Sequence, residues 1–198
     1  MTKIFISQRR DKIGEFNEVR DNLDSRFLKI FQRLKITPIL IPNNILLTKK
    51  LIHTVKISGI ILSPGGDARK KDVRYNTELL LLDFAYKKNI PLIGICRGAQ
   101  AINIYFGGKI KKIVGHVRKN HKINSDLIVN KEIKTKCFHQ YGVKKNYLGK
   151  NLEILGKSDD ESIEWFRHKN KKIMGMMWHP ERFTKLRSFE LKIIKNFF

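Results

Sequence analysis

One cysteine lies between two glycines, at the point where a strand is expected to turn directly into a helix. The string is Gly94-Ile-Cys96-Arg-Gly98. Small flanking residues allow a sharp turn, and the side chain at its apex projects from the sheet. A cysteine there lies at a helix N-terminus, where the helix dipole favours the nucleophilic thiolate. Taken alone, the pattern fits a buried structural cysteine about as well as a nucleophile.

A histidine near the C-terminus can supply the base that such a nucleophile needs. His179 follows the strand expected at 172–177, within Trp178-His-Pro-Glu181. If this strand is parallel to the one before Cys96, both side chains lie at the same edge of the sheet. Glu181 can reach back to the imidazole, and an acid after the histidine distinguishes the chain from an α/β-hydrolase. The sequence therefore predicts a Cys96–His179–Glu181 triad.

A pair of glycines follows the strand expected at 58–62, in Ser63-Pro-Gly65-Gly66. Two glycines let the backbone approach a substrate closely and expose its N–H groups. By itself the string is more typical of a simple turn. Beside Cys96, it can supply one donor to an oxyanion, and the backbone N–H of Arg97 can supply the other.

The other histidines and the second cysteine form no recognisable metal motif. Four histidines are expected on an apolar helix or in basic loops, with structural or solvated roles: His53, His116, His121 and His168. The candidate ligands have loose spacing and no C-x-x-C pair: His116, His121, Cys137 and His139. A zinc site is therefore disfavoured, and neither a metal nor a cofactor is predicted.

Alternating apolar segments indicate how these residues are positioned. Strands are expected at 3–7, 38–41, 58–62, 91–95, 126–130, 152–157, 162–167 and 172–177. Helices are expected at 73–88, 97–106 and 183–198, and also over 19–34 from the spacing of Val19, Leu23, Phe27, Ile30, Phe31 and Leu34. Strands that alternate with helices indicate a parallel sheet covered on both faces. The predicted fold is α/β, a three-layer sandwich with a mostly parallel, mixed central sheet in one domain spanning 1–198.

The composition is strongly basic, with 41 Lys and Arg against 18 Asp and Glu and a formal charge of +23. A solvated basic surface is the favoured interpretation. Residues 109–150 hold twelve basic and two acidic residues but few aromatics. Since readers of nucleic acid often add aromatics for base stacking, a rim that attracts phosphate is the better prediction for this segment. Its expected cations are Lys109, Lys111, Lys112 and Arg118.

The sequence also argues against two classes of protein. Its longest purely apolar run, residues 79–82, is far shorter than the roughly 20 residues of a membrane-spanning helix. Two cysteines cannot build a disulfide framework. A cytoplasmic location without a membrane partner is therefore expected.

Three motifs together resemble the class I glutamine amidotransferase superfamily, over the chain from Lys3 onward: Pro-Gly-Gly, then G-I-C-R-G-A-Q, then W-H-P-E. The resemblance implies a flavodoxin-like fold, with Cys96 as nucleophile, His179 as general base and acid, and Glu181 as the third triad member. It assigns the oxyanion hole to the backbone N–H groups of Gly66 and Arg97. Substrate contacts would come from Gly65, Gln100, His139 and Gln140. Cys137-Phe138 departs from the small polar residues usual in that segment of the family.

Arg97, directly after the nucleophile, resembles the γ-glutamyl hydrolase branch. This implies a cysteine-dependent hydrolase that releases glutamate from a small γ-glutamyl amide. The basic composition favours a phosphorylated, nucleotide-linked substrate, as in capsular phosphoramidate biosynthesis. One alternative is a glutaminase subunit whose synthetase is a separate partner chain. A non-catalytic basic nucleic-acid-binding protein is a further alternative, which the intact triad disfavours, so no obligatory nucleic acid is expected.

Overall fold

A computed structural model describes residues 2–66, 68–127 and 133–198. Within them, the strands are β1 Thr2–Ser7, β2 Arg9–Ile13, β3 Glu18–Asn22, β4 Ile36–Ile41, β5 Gly59–Leu62, β6 Leu92–Ile95, β7 Lys111–Lys112, β8 Val117–Asn124, β9 Ile133–Phe138, β10 Tyr141–Gly142, β11 Leu152–Ser158, β12 Ile163–His168 and β13 Ile173–Met176. The helices are α1 Phe27–Leu34, α2 Ile45–Thr54, α3 Val73–Lys88, α4 Arg97–Tyr105 and α5 Ser188–Phe197.

A central sheet joins nine of these strands in the order β4-β1-β5-β6-β13-β12-β11-β8-β9. Its first five strands run parallel to one another, and every later pairing is antiparallel. The other strands form two small two-stranded sheets, β2 with β3 and β7 with β10. The parallel half therefore brings the carboxyl ends of β5, β6 and β13 side by side at one edge.

Helices cover both faces of the parallel half. Along β5 the side chains alternate between faces, so Ile61 packs with the apolar side chains of α1 and α5, and Ile60 and Leu62 pack with those of α3 and α4. All three residues are buried. This three-layer, mostly parallel arrangement confirms the predicted fold class.

Most of the predicted strands and helices are confirmed, but the helix expected over 19–34 is wrong. Its first part is a hairpin of β2 and β3, and α1 begins only at Phe27. Gly14 and Asn17 have φ of +70° and +53°, which suits the turn between the two strands. Val19 is 45% exposed, so its helical spacing from the core residues of α1 is accidental.

Two other boundaries also differ from prediction. Asp126 and Leu127 lie in a turn, and residues 128–130 of the strand expected there lie outside the described residues. The strands of this region are β8 and β9, on either side. The last helix begins at Ser188 instead of 183, because a 3-10 turn at Pro180–Arg182 and a further loop precede it. Among the described residues, no helix combines the length and apolarity needed to cross a bilayer.

Candidate active site

Cys96 occupies a sharp turn between β6 and α4, with a φ of +51° and a ψ of −103°. The glycines around it are sterically required. A Cβ at Gly94 would lie 2.5 Å from the backbone of Gly98, and a Cβ at Gly98 would lie 2.3 Å from the carbonyl oxygen of Leu62. Backbone atoms on both sides therefore force Cys96 into a conformation that is costly for an L-residue, and such strain is typical of functional sites.

Three neighbouring parallel strands deliver the candidate residues to one edge of the sheet. β5 ends immediately before Ser63, and β6 ends immediately before Cys96. In β13, Met176 pairs with Ile95, and the Cys96 N–H donates to the Met176 carbonyl at 2.8 Å. His179 follows three residues later. The juxtaposition of Cys96 and His179 is thus set by strand order, across more than eighty residues of sequence.

His179 and Glu181 form a buried pair. The Nδ1 of His179 lies 2.7 Å from Oε1 of Glu181. Pro180 opens the 3-10 turn that brings the carboxylate back to the ring. Among the described residues, the other ring nitrogen, Nε2, has no hydrogen-bond partner. Because a carboxylate at Nδ1 fixes the proton there, Nε2 is available to exchange a proton with a neighbouring group.

The electrostatics of Cys96 and His179 are coupled. Burial alone would raise the pKa of the Cys96 thiol, but the charge of His179 outweighs burial and lowers it, with a smaller contribution from His139. Burial alone would lower the pKa of His179, but Cys96 and then Glu181 raise it to about 9. Both shifts favour a thiolate beside an imidazolium, the form in which a cysteine attacks a carbonyl carbon.

A buried ionic network positions the loop after β5. The Arg74 guanidinium donates to the carbonyl oxygens of Ser63 and Gly65, at 2.8 Å each. Glu78 lies between two cations: its Oε1 accepts from Arg74 at 2.9 Å, and its Oε2 pairs with Arg97. The network therefore ties the glycine loop to the residue that follows Cys96.

Sequence reasoning missed Arg74 and Glu78. The available signal was an oppositely charged pair four residues apart in the helix predicted at 73–88. Arg97 served there only as a branch marker and a backbone donor. The structure adds a buried side chain that pairs with Glu78.

These elements surround a cavity of about 470 Å³. Its lining includes Cys96 and His179 together with the expected substrate-binding residues Gly65, Gly66, Gln100, His139 and Gln140. The side-chain amide of Gln100 donates to the carbonyl oxygen of Tyr141 at 2.8 Å. That contact joins α4 to the segment after β9 and closes one wall of the cavity.

The cations of the cavity differ from those expected. The described basic side chains that line it are Arg9, Arg69 and Arg182. The guanidinium carbon of Arg69 lies 3.8 Å from the ring centroid of Tyr141, and that of Arg182 lies 4.2 Å from that of Phe138. None of the cations expected to form the rim is among the lining residues: Lys109, Lys111, Lys112 and Arg118. The prediction failed because a run of lysines in sequence does not indicate which face of a strand they occupy.

The histidines outside the triad are also placed differently. Those expected in basic loops lie on or beside strands, since His121 is within β8, His168 ends β12, and His116 is buried immediately before β8. His53 lies exposed on α2, in agreement with its predicted helix.

Comparison with known proteins assigns the family. The family model for class I glutamine amidotransferases matches residues 16–198. The chain belongs to the class I glutamine amidotransferase family. A class I glutamine amidotransferase-like hydrolase is the activity that this membership and the relatives below support.

Two curated relatives cover most of the chain. It is 32% identical over 205 residues to the γ-glutamyl-CDP-amidate hydrolase of Campylobacter jejuni, with 98% of this chain and 96% of the relative covered. Arg97 and the lysine-rich composition point to the same enzyme. The chain is also 33% identical over 178 residues to the glutamine-hydrolysing subunit of the GMP synthase of Methanococcus aeolicus, covering 87% and 88% of the two chains.

A solved structure supports the fold. A Thermoplasma acidophilum protein, itself similar to a GMP synthase subunit, superposes with a TM-score of 0.74 at 22% identity, covering 100% of this chain and 92% of the other. At this identity the likeness establishes the flavodoxin-like amidotransferase fold alone.

Proposed function

We propose that the protein is a cysteine-dependent hydrolase that cleaves γ-glutamyl amides, with Cys96, His179 and Glu181 as its triad. The observation that carries the proposal is the thiol of Cys96 at a strained strand–helix turn, sharing one cavity with a histidine whose outer nitrogen is held by a buried carboxylate. A buried structural cysteine would require neither the backbone strain nor the His179–Glu181 pair.

The proposed reaction has two halves. The Cys96 thiolate attacks the γ-carbonyl carbon, and the backbone N–H groups of Gly66 and Arg97 stabilise the oxyanion. The C–N bond breaks as the His179 imidazolium gives its proton to the leaving nitrogen, which leaves a glutamyl thioester on Cys96. His179, now neutral, takes a proton from water, and the resulting hydroxide attacks the thioester. The C–S bond breaks, glutamate leaves, and the thiolate–imidazolium pair is restored.

The arginines of the cavity support a phosphorylated leaving group. Arg9 and Arg182 line the same cavity as Cys96, and Arg69 lies across the ring of Tyr141. Guanidinium groups bind phosphate oxygens through charge-assisted hydrogen bonds. Together with the similarity to γ-glutamyl-CDP-amidate hydrolase, this favours a nucleotide-linked amide as substrate, and capsular phosphoramidate biosynthesis as its setting.

A substrate panel tests this proposal. We expect purified protein to release glutamate from γ-glutamyl-CDP-amidate with a higher kcat/KM than from glutamine or an uncharged γ-glutamyl anilide. Added salt should lower only the first of these values, because it screens the phosphate–arginine attraction. Replacement of Arg69 with glutamine should reduce kcat/KM for the phosphorylated substrate by about 10–100-fold, the loss of one charge-assisted contact.

Lys112 provides the matched control for Arg69, because it is an exposed cation that does not line the cavity. Replacement of Lys112 with glutamine removes the same charge and should leave kcat/KM nearly unchanged. An equal loss in both variants would mean that net charge alone attracts the substrate. No preference for the phosphorylated amide would contradict the proposed leaving group.

The glutaminase subunit of a two-chain amidotransferase is the second candidate. The similarity to the glutamine-hydrolysing GMP synthase subunit favours it. It requires glutamine to be the preferred substrate of the panel and glutamate release to increase when a synthetase chain is added. The hydrolase requires neither, so the same panel separates the two functions.

The pH profile of glutamate release tests the role of Glu181. Activity should fall at high pH as His179 loses the proton that the leaving nitrogen needs, with a midpoint near the pKa of about 9. Glu181 helps to raise that pKa, so Glu181→Gln should move the alkaline limb to lower pH. The rate should also fall by about 10²–10⁴-fold, because the imidazole loses its orienting carboxylate. A loss of rate with an unmoved alkaline limb would exclude this role.

A further inference from the structure

A second cluster of potentially reactive side chains lies behind the active-site cavity. It consists of His116, Cys137, His139 and Glu164, all of them buried. One ligand atom from each lies within 4.8 Å of every other. They come from three parts of the sheet: the residue before β8, the end of β9 and the segment after it, and the second position of β12. Strand pairing therefore assembles a set that sequence spacing gave reason to reject.

The outer nitrogen of each imidazole faces an acceptor. Nδ1 of His139 lies 3.1 Å from the carbonyl oxygen of Tyr141, and Nε2 of His116 lies 3.3 Å from Oδ2 of Asp160. Asp160 is itself held by the hydroxyl and backbone N–H of Ser162. A carbonyl or carboxylate at one ring nitrogen places the proton there and leaves a lone pair on the other.

Those two lone pairs both point at a carboxylate. Oε1 of Glu164 lies 3.2 Å from Nδ1 of His116 and 3.6 Å from Nε2 of His139. None of these three buried atoms makes a hydrogen bond within the described residues. Buried acceptors that face one another without a donor are costly. A cation among them removes that cost.

The distances suit a small ion. Around a tetrahedral metal with bonds of about 2.0–2.3 Å, two ligand atoms lie roughly 3.3–3.8 Å apart. The two distances above, and the 3.6 Å from the Cys137 Sγ to Oε2 of Glu164, fall in or near this range. Two imidazoles, one thiolate and one carboxylate form a four-ligand set suited to Zn²⁺, and the two anionic ligands balance its charge.

We propose that His116, Cys137, His139 and Glu164 form a structural zinc site, with Asp160 and the Tyr141 carbonyl orienting its two imidazoles. Four protein ligands leave no open position, so the ion has no direct part in the reaction. It fastens β8 and β9 to β12 and fixes the ring of His139, which also lines the active-site cavity. Cys137 must lose its proton on binding, and burial raises the pKa of that thiol, so zinc affinity should increase with pH.

Metal titration of the full chain tests this site independently of hydrolysis. Cys96→Ser is the starting protein, because the catalytic thiol and His179 could also bind zinc. After removal of metal with a chelator, this protein should bind one equivalent of Zn²⁺ from ZnCl₂ and unfold at a higher temperature with zinc than without it. With CoCl₂ it should show a thiolate-to-cobalt charge-transfer band. A Cys96→Ser protein that binds no zinc would refute the site outright.

Variants in the Cys96→Ser protein locate the ion. Replacing Cys137 with serine or Glu164 with glutamine should weaken zinc binding by more than about 100-fold, and the cysteine variant should lose the cobalt charge-transfer band. Asp160→Asn, which changes only an orienting group, should weaken binding by about 10–100-fold. Circular dichroism of each metal-free variant checks that it folds.

Two histidine variants serve as controls. His53 is exposed on α2, and His121 stacks on the ring of His116 at 4.1 Å without belonging to the ligand set. Replacement of either with alanine should leave the single equivalent of zinc bound. Retention of zinc by both the Cys137 and Glu164 variants, or its loss in the His53 variant, would place the ion elsewhere and overturn the proposal.

Discussion

Replacing Cys96 with alanine should abolish glutamate release and leave the unfolding curve of the protein almost unchanged. Activity should fall by at least about 10⁴-fold, because the only group placed to form the thioester is removed. The stability cost should be small, about 1 kcal/mol, since alanine retains the Cβ, tolerates the same φ of +51° no worse than cysteine, and leaves a space of only one sulfur atom.

Alkylation gives an independent measure of the same thiol. The wild-type protein should react rapidly with one equivalent of iodoacetamide, at Cys96. Cys137 is the internal control, because burial and then Glu164 raise the pKa of its thiol and keep it protonated. Cys96→Ala should lose the rapid phase and keep the unreactive Cys137. An alanine variant that still hydrolyses the substrate, or rapid labelling of Cys137 in its place, would contradict the assignment of the nucleophile.

The parts of the site that could be predicted from the sequence are those fixed by local geometry. The turn at Cys96 needs glycine on both sides, and that need is visible in five consecutive residues. The loop at Gly65 and Gly66 is recognisable for a similar reason. Placing His179 beside Cys96 needed one further premise, parallel strands, and the alternation of apolar segments with helices supplied it.

The parts that could not be predicted depend on which strands become neighbours. The antiparallel half of the sheet brings His116 and Glu164 together from positions 48 residues apart, and no spacing rule indicates such a pairing. Side-chain direction is equally hidden. Arg9 lies in a hairpin that the apolar spacing predicted to be a helix, yet it lines the cavity, whereas Lys109 and its neighbours do not.

The buried network beside the site should be the most sensitive point of the fold outside the triad. Replacement of Glu78 with glutamine should lower the free energy of unfolding by about 3–5 kcal/mol, because it leaves the buried guanidinium groups of Arg74 and Arg97 without the carboxylate that they share. Burial lowers the pKa of Arg74 only to about 10, so both cations persist at neutral pH. Urea unfolding measures the loss.

The same substitution should also reduce kcat, because Arg74 holds the loop that carries Gly66, one of the two proposed oxyanion donors. A displaced donor of this kind costs up to about 10²–10³-fold in rate. The expected signature is a lower kcat with little change in KM, since the oxyanion forms only after substrate binds. An unchanged kcat in a folded Glu78→Gln protein would mean that the loop keeps its position without the network.

Helix α3 contains its own control for this experiment. Asp83 and Lys87 form a second pair with i,i+4 spacing, 2.8 Å apart, with side chains 42% and 68% exposed. Asp83→Asn makes the same chemical change as Glu78→Gln on the same helix, but in contact with water. Its cost should be below about 1 kcal/mol, and kcat should not change. Equal losses of stability in the two variants would show that helix pairing, and not the burial of the charges, sets the effect.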